Sequence, residues 1–252
     1  MLDRISYIRS AFRWEPRRRG ASRVLLPNVV DTHSAASVSI ATSMFEALDV
    51  PRDVDGPTTD AGAALEAGVQ RLLDDHLNEI DPLREWHVER YRSISTYEQY
   101  AHLERLNALI ASNPTYRVEI GRDYTIAPDV VVGLRSRVDS ERPLRLHAAV
   151  SCKWTIRSDR VQNIRHEAVL MIRHRRGRLP HIVAVTAEPL PSRIGAIARG
   201  TGEIDAVYHA SLGALKDAVA SGPWADQRDM LDELVEQHRL FDLGDLPRAL
   251  AD

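Results

Sequence analysis

The clearest pattern of apolar and polar positions lies in the second half of the chain. Residues 146–150 are short, apolar and bounded by polar residues, which is typical of a buried β-strand. Apolar side chains then recur at helical spacing, at Val161, Ile164, Ala168 and Met171. Asp159 stands where this helix should begin, and Gln162 follows three residues later, so the two side chains can satisfy unpaired backbone groups of the first turn. The pattern predicts a strand that leads into a helix capped by Asp159.

The rest of the chain alternates between stretches of helical and of strand type. Helices are predicted at residues 1–27, 38–48, 60–80 and 91–110, strands at 128–133, 182–186 and 204–208, and one or two helices at 211–240 before an acidic tail. Residues 188–193, which include two prolines, are expected to form a stiff loop. Since neither an internal repeat nor a linker is visible, residues 1–252 are predicted to form a single α/β domain.

Composition places the chain among ordinary globular proteins. It has 44% hydrophobic and 27% charged residues, and its first residues lack the apolar core of a signal peptide. No apolar run is long enough to cross a membrane, so we expect a cytoplasmic protein without membrane contact. A single cysteine excludes an intrachain disulfide, and the ten histidines show no zinc-binding spacing.

Charge is spread unevenly, although the net charge is only −3. Residues 134–178 carry 12 basic and 4 acidic side chains, whereas residues 203–252 carry 4 basic and 11 acidic ones. The basic block holds the predicted strand and helix, and such a block can attract phosphates. A solvated charged face explains the same pattern about equally well.

Lysine is rare in this chain and marks the end of the predicted strand. Lys153 and Lys216 are the two lysines among 33 basic residues. Because side chains alternate along a strand, Ser151 and Lys153 share one face and Cys152 lies on the other. Glu167 falls on the buried edge of the following helix, so it is expected to converge on Lys153. A structural ion pair is the simple interpretation, but the choice of lysine favours a compact cation that can lose its proton.

Several carboxylates are expected near this lysine. Asp129 precedes a predicted strand, where it could also be a turn-forming residue, and Glu66 lies on a predicted helix. Carboxylate oxygens bind hard cations, and a lysine beside them can orient or deprotonate a water molecule. Together with Ser151, these residues predict metal-dependent hydrolysis of a phosphodiester.

These residues resemble the PD-(D/E)xK nucleases, and within them the type II restriction endonucleases that cleave CCGG-containing sites. Pro128-Asp129 resembles the PD pair, Ser151-Cys152-Lys153 resembles the Ser-x-Lys form of the CCGG group, and Glu167 stands where that group has its displaced glutamate. Residues 188–193 and 200–205 resemble the NgoMIV branch, whose site is GCCGGC. The resemblance implies a restriction-endonuclease-like core, with a central mixed β-sheet flanked by helices.

The resemblance also implies roles for the catalytic candidates. Two Mg²⁺ ions per active site are expected, held by Asp129, Glu167 and the backbone carbonyl of Cys152, with Glu66 acting through water. Catalysis is assigned to Asp129, Lys153, Glu167, Glu66 and Ser151. The expected reaction is Mg²⁺-dependent hydrolysis, with a cut after the first G that leaves four-base 5′ overhangs and 5′-phosphates.

Recognition of DNA is assigned to a second set of residues. A helix start that carries arginines and an aspartate can enter the major groove, where arginine pairs with guanine and a carboxylate accepts from cytosine. The resemblance assigns the inner CCGG to Arg157, Ser158, Asp159 and Arg160, and the outer G·C pair to Arg193 and Asp31, with His33 and Ser34 in the same loop as Asp31. A capping turn with solvated arginines is the alternative for residues 157–160, and helix capping is the alternative for Asp31 and Ser34.

A palindromic site presents two equivalent half-sites, so we expect at least a homodimer, and the resemblance implies a homotetramer. A cognate DNA methyltransferase would act on the same site without direct contact. Two other functions remain open on sequence grounds: a repair or recombination nuclease that recognises DNA structure, and a catalytically silent DNA-binding module.

Overall fold

The protein is described by a computed structural model that covers residues 4–19, 22–52, 60–113, 115–116, 118, 125–200 and 202–252. In chain order, the strands are β1 (Trp14–Arg19), β2 (Ser22–Pro27), β3 (Trp86–Arg90), β4 (Val130–Leu134), β5 (Arg145–Lys153), β6 (His181–Thr186), β7 (Ala206–His209) and β8 (Leu240–Asp242). The helices are α1 (Ala35–Ala47), α2 (Ala61–Ile80), α3 (Ala101–Ser112), α4 (Ser158–His174), α5 (Pro191–Ala198), α6 (Leu212–Ser221), α7 (Ala225–Glu236) and α8 (Leu246–Ala251).

A six-stranded mixed sheet forms the centre of the molecule, in the order β3-β4-β5-β6-β7-β8. β3, β4 and β5 pair in antiparallel fashion, whereas β5 to β8 are parallel. Seven consecutive residues of β5, 146–152, are buried, so both faces of this strand are covered. α2 packs against β3, β4 and β5. The predicted mixed sheet flanked by helices is therefore confirmed.

The central strand and the helix after it follow the predicted order. α4 begins at Ser158, and its N-cap residue is Arg157, which makes no capping hydrogen bond through its side chain. The prediction that Asp159 caps this helix was wrong, because Asp159 already lies in the first turn. Local capping patterns locate a helix start to within one or two residues, and here the helix begins one residue before Asp159.

The N-terminal prediction was wrong. Instead of a helix over residues 1–27, two short 3-10 turns, Arg4–Tyr7 and Arg9–Ala11, precede the antiparallel hairpin of β1 and β2. Pro16 would break a helix at this point, but it is tolerated in a two-stranded edge. Ile8 and Phe12, which adjoin these turns, are buried in the core.

Three other elements differ from the prediction. The predicted helix over residues 91–110 is helical from Ala101, and the strand β3 before it was missed. The predicted loop at 188–193 becomes α5 from Pro191, a residue that suits the first helical turn. The predicted acidic tail instead forms β8 and α8, because Leu246 and Leu250 are buried against the core. None of the described helices is long and apolar enough to cross a membrane.

Candidate active site

Antiparallel pairing of β4 with β5 brings Asp129 to the end of the central strand. Val130, the first residue of β4, pairs with Val150, so Asp129 lies beside the last residues of β5. Its Oδ2 atom accepts hydrogen bonds from the backbone N–H of Cys152, at 2.7 Å, and from Nζ of Lys153, at 2.7 Å. Two residues that were predicted to be catalytic are thus in direct contact.

α4 adds the half-buried carboxylate of Glu167. Burial raises the pKa of Glu167, the ammonium of Lys153 lowers it, and the carboxylate of Asp129 raises it again. These influences place Glu167 within electrostatic reach of both residues. The direct ion-pair partner of Lys153 is Asp129, and the convergence of Lys153 with Glu167 stays a prediction.

α2 contributes Glu66. The hydroxyl of Tyr91 donates a hydrogen bond to Oε2 of Glu66. Burial raises the pKa of the Cys152 thiol, and the charges of Asp129 and Glu66 raise it further, so both carboxylates lie near the end of β5. Ser151 is buried on the same face of β5 as Lys153. We call Glu66, Asp129, Lys153 and Glu167 the catalytic cluster.

Tyr91 was missed by the sequence analysis, which placed it at the start of a helix. It follows β3 directly and has a φ of 55°, a left-handed conformation that is unusual for an aromatic residue. Its backbone N–H faces the carbonyl oxygen of Asp129 at 3.4 Å. Nothing in the local sequence marks this residue, because its place beside Glu66 depends on the pairing of β3 with β4.

The donor chemistry of the cluster suits a hard cation. Burial raises the pKa of Glu167 and the charge of the Asp129 carboxylate raises it further, and a bound cation would offset both effects. Within the described residues, no three His, Cys, Asp or Glu side chains are gathered closely enough to form a metal site. The positive charge beside Asp129 in this structure is the Lys153 ammonium.

A separate cavity of about 710 Å³ opens beside the start of α4. Its lining includes four of the predicted recognition residues together with an arginine of β1: Asp31, His33, Arg157, Arg193 and Arg17. Nη2 of Arg193 donates a hydrogen bond to Oδ2 of Asp31. This hydrogen bond has the largest effect in lowering the pKa of Asp31, and a hydrogen bond from the backbone N–H of His33 lowers it further. We call this space the recognition cavity.

The remaining predicted recognition residues are placed as follows. Ser158, Asp159 and Arg160 form the first turn of α4, and their side chains lie outside the described part of the chain. Arg157 is exposed at the helix start. Ser34 is the N-cap of α1, where its hydroxyl accepts a hydrogen bond from the backbone N–H of Ser37 at 3.2 Å. Capping, the alternative given for Ser34, is therefore present, and a DNA contact by Ser34 stays a prediction.

Two residues at this cavity had no assigned role in the sequence analysis. Arg17 lies on β1, reaches the cavity and pairs with Oε2 of Glu15 at 2.7 Å. Glu188 is completely buried behind the cavity, and burial raises its pKa to about 7. A glutamate two residues after an apolar strand was the available signal for Glu188.

Comparisons with known proteins identify the family of this chain. The family model described as NgoMIV restriction enzyme matches residues 17–142 and 134–251. The type II restriction enzyme NgoMIV of Neisseria gonorrhoeae is 40% identical over 226 residues, which cover 77% of this chain and 79% of that protein. Among solved structures, the pre-specific restriction endonuclease BsaWI in complex with DNA gives a TM-score of 0.35 at 15% identity, and the match covers 68% of this chain and 65% of that one.

The family model spans nearly the whole chain, and it includes both the catalytic cluster and the recognition cavity. The alternatives of a structure-specific repair nuclease and of a silent DNA-binding module are thereby set aside. The chain belongs to the NgoMIV restriction enzyme family, and it is a type II site-specific deoxyribonuclease whose partner is DNA.

Proposed function

We propose that this endonuclease cuts double-stranded DNA at GCCGGC, after the first G, in a reaction that requires Mg²⁺ and leaves four-base 5′ overhangs with 5′-phosphates. The observation that supports the proposal is the contact between Asp129 and Lys153, with half-buried Glu167 alongside. Lys153 stands four residues before Arg157, so the chemistry and the proposed reading of DNA share one strand-to-helix connection.

The catalytic cluster has the donors that this reaction needs. Asp129, Glu167 and the backbone carbonyl of Cys152 would hold two Mg²⁺ ions, with Glu66 acting through a water molecule. When bound, the ions supply Lewis acidity at the scissile phosphate and lower the pKa of the attacking water. Lys153 orients that water, and Asp129, which directly precedes β4, holds the lysine in place at the end of β5. Ser151 lies on the same strand face as Lys153 and completes the motif.

The recognition cavity, the start of α4 and the loop before α1 supply the proposed base contacts. Arg157, Asp159 and Arg160 occupy the start of one helix, so they reach the base pairs nearest the cut, the inner CCGG. Arg193 and Asp31 come from separate elements, and they read the outer G·C pair, with His33 and Ser34 beside them. The existing bond between Arg193 and Asp31 presents a guanidinium and a carboxylate together, as a G·C pair requires.

The active enzyme is proposed to be at least a homodimer, and in its full assembly a homotetramer that holds two DNA sites. A two-fold symmetric site offers one scissile phosphate to each of two subunits. Light scattering with and without a GCCGGC duplex tests the assembly, and a monomer under both conditions counts against it. Protection of the host DNA is assigned to a methyltransferase that modifies the same sequence.

Digestion of a plasmid with one GCCGGC site, followed by sequencing of the cut ends, tests the proposal. We expect one cut in Mg²⁺, none in EDTA, and binding without cleavage in Ca²⁺. Asp129→Asn should lose the Mg²⁺-dependent activity because it removes a ligand charge. Asp139→Asn changes a half-exposed loop aspartate that pairs with Arg142, and it serves as the matched control. Full activity in EDTA, or in Asp129→Asn, would exclude the proposed metal chemistry.

A further inference from the structure

Glu188 lies behind the recognition cavity, and the presence of a buried carboxylate there needs an explanation. It is completely buried, and it follows the end of β6 by two residues. A buried carboxylate loses its hydration, which is costly unless hydrogen bonds and opposite charges replace the water. Burial raises the pKa of Glu188, while the backbone N–H of Ile156 and the charge of Arg193 lower it.

The two carboxylate oxygens of Glu188 hold different parts of the cavity. Oε2 accepts a hydrogen bond from the backbone N–H of Ile156 at 2.9 Å. Oε1 accepts one from the backbone N–H of Leu190 at 3.2 Å, and it lies 3.9 Å from Nη1 of Arg193. The backbone of Glu188 is itself held, because its N–H donates to Oγ1 of Thr186 at 3.1 Å and its carbonyl oxygen lies 3.2 Å from Nε2 of His209.

Each partner of this carboxylate is next to a proposed base reader. Ile156 directly precedes Arg157, which begins the segment assigned to the inner base pairs. Leu190 is the N-cap residue of α5, and Arg193 lies in the first turn of that helix. One rigid side chain therefore fixes the spacing between the start of α4 and the start of α5.

We infer that Glu188 is a positioning residue that couples the inner and outer base readers, by holding the backbone before Arg157 and the guanidinium of Arg193 with one carboxylate. The inference rests on the proposed function, and it assigns a residue that touches no base to the control of sequence specificity. A carboxylate suits this task because both of its oxygens accept hydrogen bonds. A glutamine amide has one acceptor oxygen, so its NH₂ group would face the backbone N–H of either Ile156 or Leu190, which is also a donor.

Glu188→Gln tests the inference through discrimination at each position of the site. The ratio of cleavage rates for GCCGGC and for sites changed at the outer pair should fall by about tenfold, as expected for loss of a buried hydrogen bond and its charge. The ratio for sites changed at an inner pair should also fall. In the double variant Glu188→Gln with Arg193→Ala, the outer ratio should equal that of Arg193→Ala alone, because Glu188 acts on the outer pair through Arg193.

Gln99→Met is the matched control for a structural effect. Gln99 is also buried, and it exchanges two hydrogen bonds with the backbone of Leu146 at the other end of β5. This variant should lose stability while both ratios stay at the wild-type values. If Glu188→Gln does not fold, Glu188→Asp, which keeps the charge but withdraws it from Ile156, replaces it with the same expected loss. Wild-type ratios in the folded Glu188 variant, or an additive effect in the double variant, overturn the inference.

Measurements of DNA binding test this inference independently of the proposed cleavage reaction. The same ratios can be measured as equilibrium affinities for uncut duplexes in Ca²⁺. A wild-type protein that cuts nothing in Mg²⁺ contradicts the proposed chemistry, and the affinity ratios of the Glu188 variants still decide on the coupling. Wild-type cleavage with unchanged affinity and rate ratios in Glu188→Gln contradicts the coupling alone.

Discussion

The catalytic cluster and the recognition cavity each contain an aspartate paired with a cation, but the two pairs are held in different ways. Asp129 also accepts a hydrogen bond from the backbone N–H of Cys152, so the ion pair of Asp129 and Lys153 is fixed to the central strand. Asp31 accepts the backbone N–H of His33 in the loop between β2 and α1, and its cation comes from α5. One pair belongs to the sheet, and the other joins a loop to a helix.

This difference suits the two proposed tasks, because the geometry of the catalytic cluster must stay constant while the residues that contact DNA bases can vary. Chemistry needs atoms held to fractions of an ångström, and a strand buried on both faces provides that rigidity. Base readers on loops and helix starts can change without disturbing the sheet, as is common for binding residues. We therefore expect substitutions in the catalytic cluster to remove activity for every sequence, and substitutions in the recognition cavity to alter which sequences are cut.

The largest effect is expected for Lys153→Ala and for Glu167→Ala. Each should lower the cleavage rate by more than about 10³-fold, because each removes a group that acts on the attacking water or its metal. DNA affinity and the unfolding midpoint should change little, as measured by fluorescence anisotropy in Ca²⁺ and by urea titration. Lys216→Ala, which changes the exposed lysine of α6, is the control and should cut normally. Cleavage near the wild-type rate by either variant would mean that the active site is assigned wrongly.

A smaller and more selective effect is expected from substitution of the residues that are proposed to contact DNA bases. A good contact between arginine and guanine contributes about 1 to 3 kcal/mol of discrimination. Arg160→Ala should therefore weaken cleavage at every CCGG-containing site, whereas Arg193→Ala should relax the outer position and keep the inner requirement. Cleavage of a library with six randomised bases measures both preferences at once.

Arg173→Ala, at the exposed far end of α4, is the control for the loss of one positive charge in that experiment. It should leave both preferences unchanged. Equal outer-base preference in Arg193→Ala and in the wild type would falsify the division between inner and outer readers.

The sequence predicted the central strand and the helix after it better than it predicted the two ends of the chain, for a physical reason. Residues 146–150 and the helix after them are local patterns, and β5 and α4 follow them closely. Asp129 and Lys153 lie at the ends of strands and Glu167 lies on the helix that follows β5, so short motifs locate them. Their mutual distance depends on the pairing of β4 with β5, a long-range contact that the motif implies but does not specify.

The errors fall where tertiary contacts override local preference. The N-terminal segment has helical spacing at Ile8 and Phe12, yet the hairpin of β1 and β2 that follows pairs along its length and packs Trp14 into the core. The C-terminal segment has many acidic residues, yet Leu246 and Leu250 anchor it. Glu188 was visible in sequence, but its role depends on Ile156, a residue 32 positions away.

The recognition region should also carry a distinct dependence of stability on pH. Burial raises the pKa of Glu188 from 4.5 to about 7. The folded state therefore holds this proton more tightly, so the contribution of protonated Glu188 to stability is complete below pH 4.5 and is lost as the pH rises through about 7. The free energy of unfolding of the wild type, relative to Glu188→Gln, should fall by about 1 to 3 kcal/mol between pH 4.5 and pH 8.

Urea titration at both pH values measures this difference. His147 and His209, whose pKa values burial lowers to about 4, change stability in the opposite direction, but they do so in both proteins and cancel. Gln99→Met should differ from the wild type by the same amount at each pH. A difference between the wild type and Glu188→Gln that does not depend on pH contradicts the predicted titration.

The smallest effect is expected at the edge of the catalytic cluster, where Tyr91 supports Glu66. Tyr91→Phe removes the hydroxyl that donates to Glu66 and keeps the ring. Because Glu66 is proposed to act through water, loss of one hydrogen bond should slow cleavage by about 2- to 10-fold without changing sequence preference. Single-turnover cleavage of a GCCGGC duplex measures the rate, and Tyr116→Phe, at an exposed tyrosine, is the control. A change in base preference would place Tyr91 with the recognition residues, and a loss beyond about 100-fold would give Glu66 a more direct part in the chemistry.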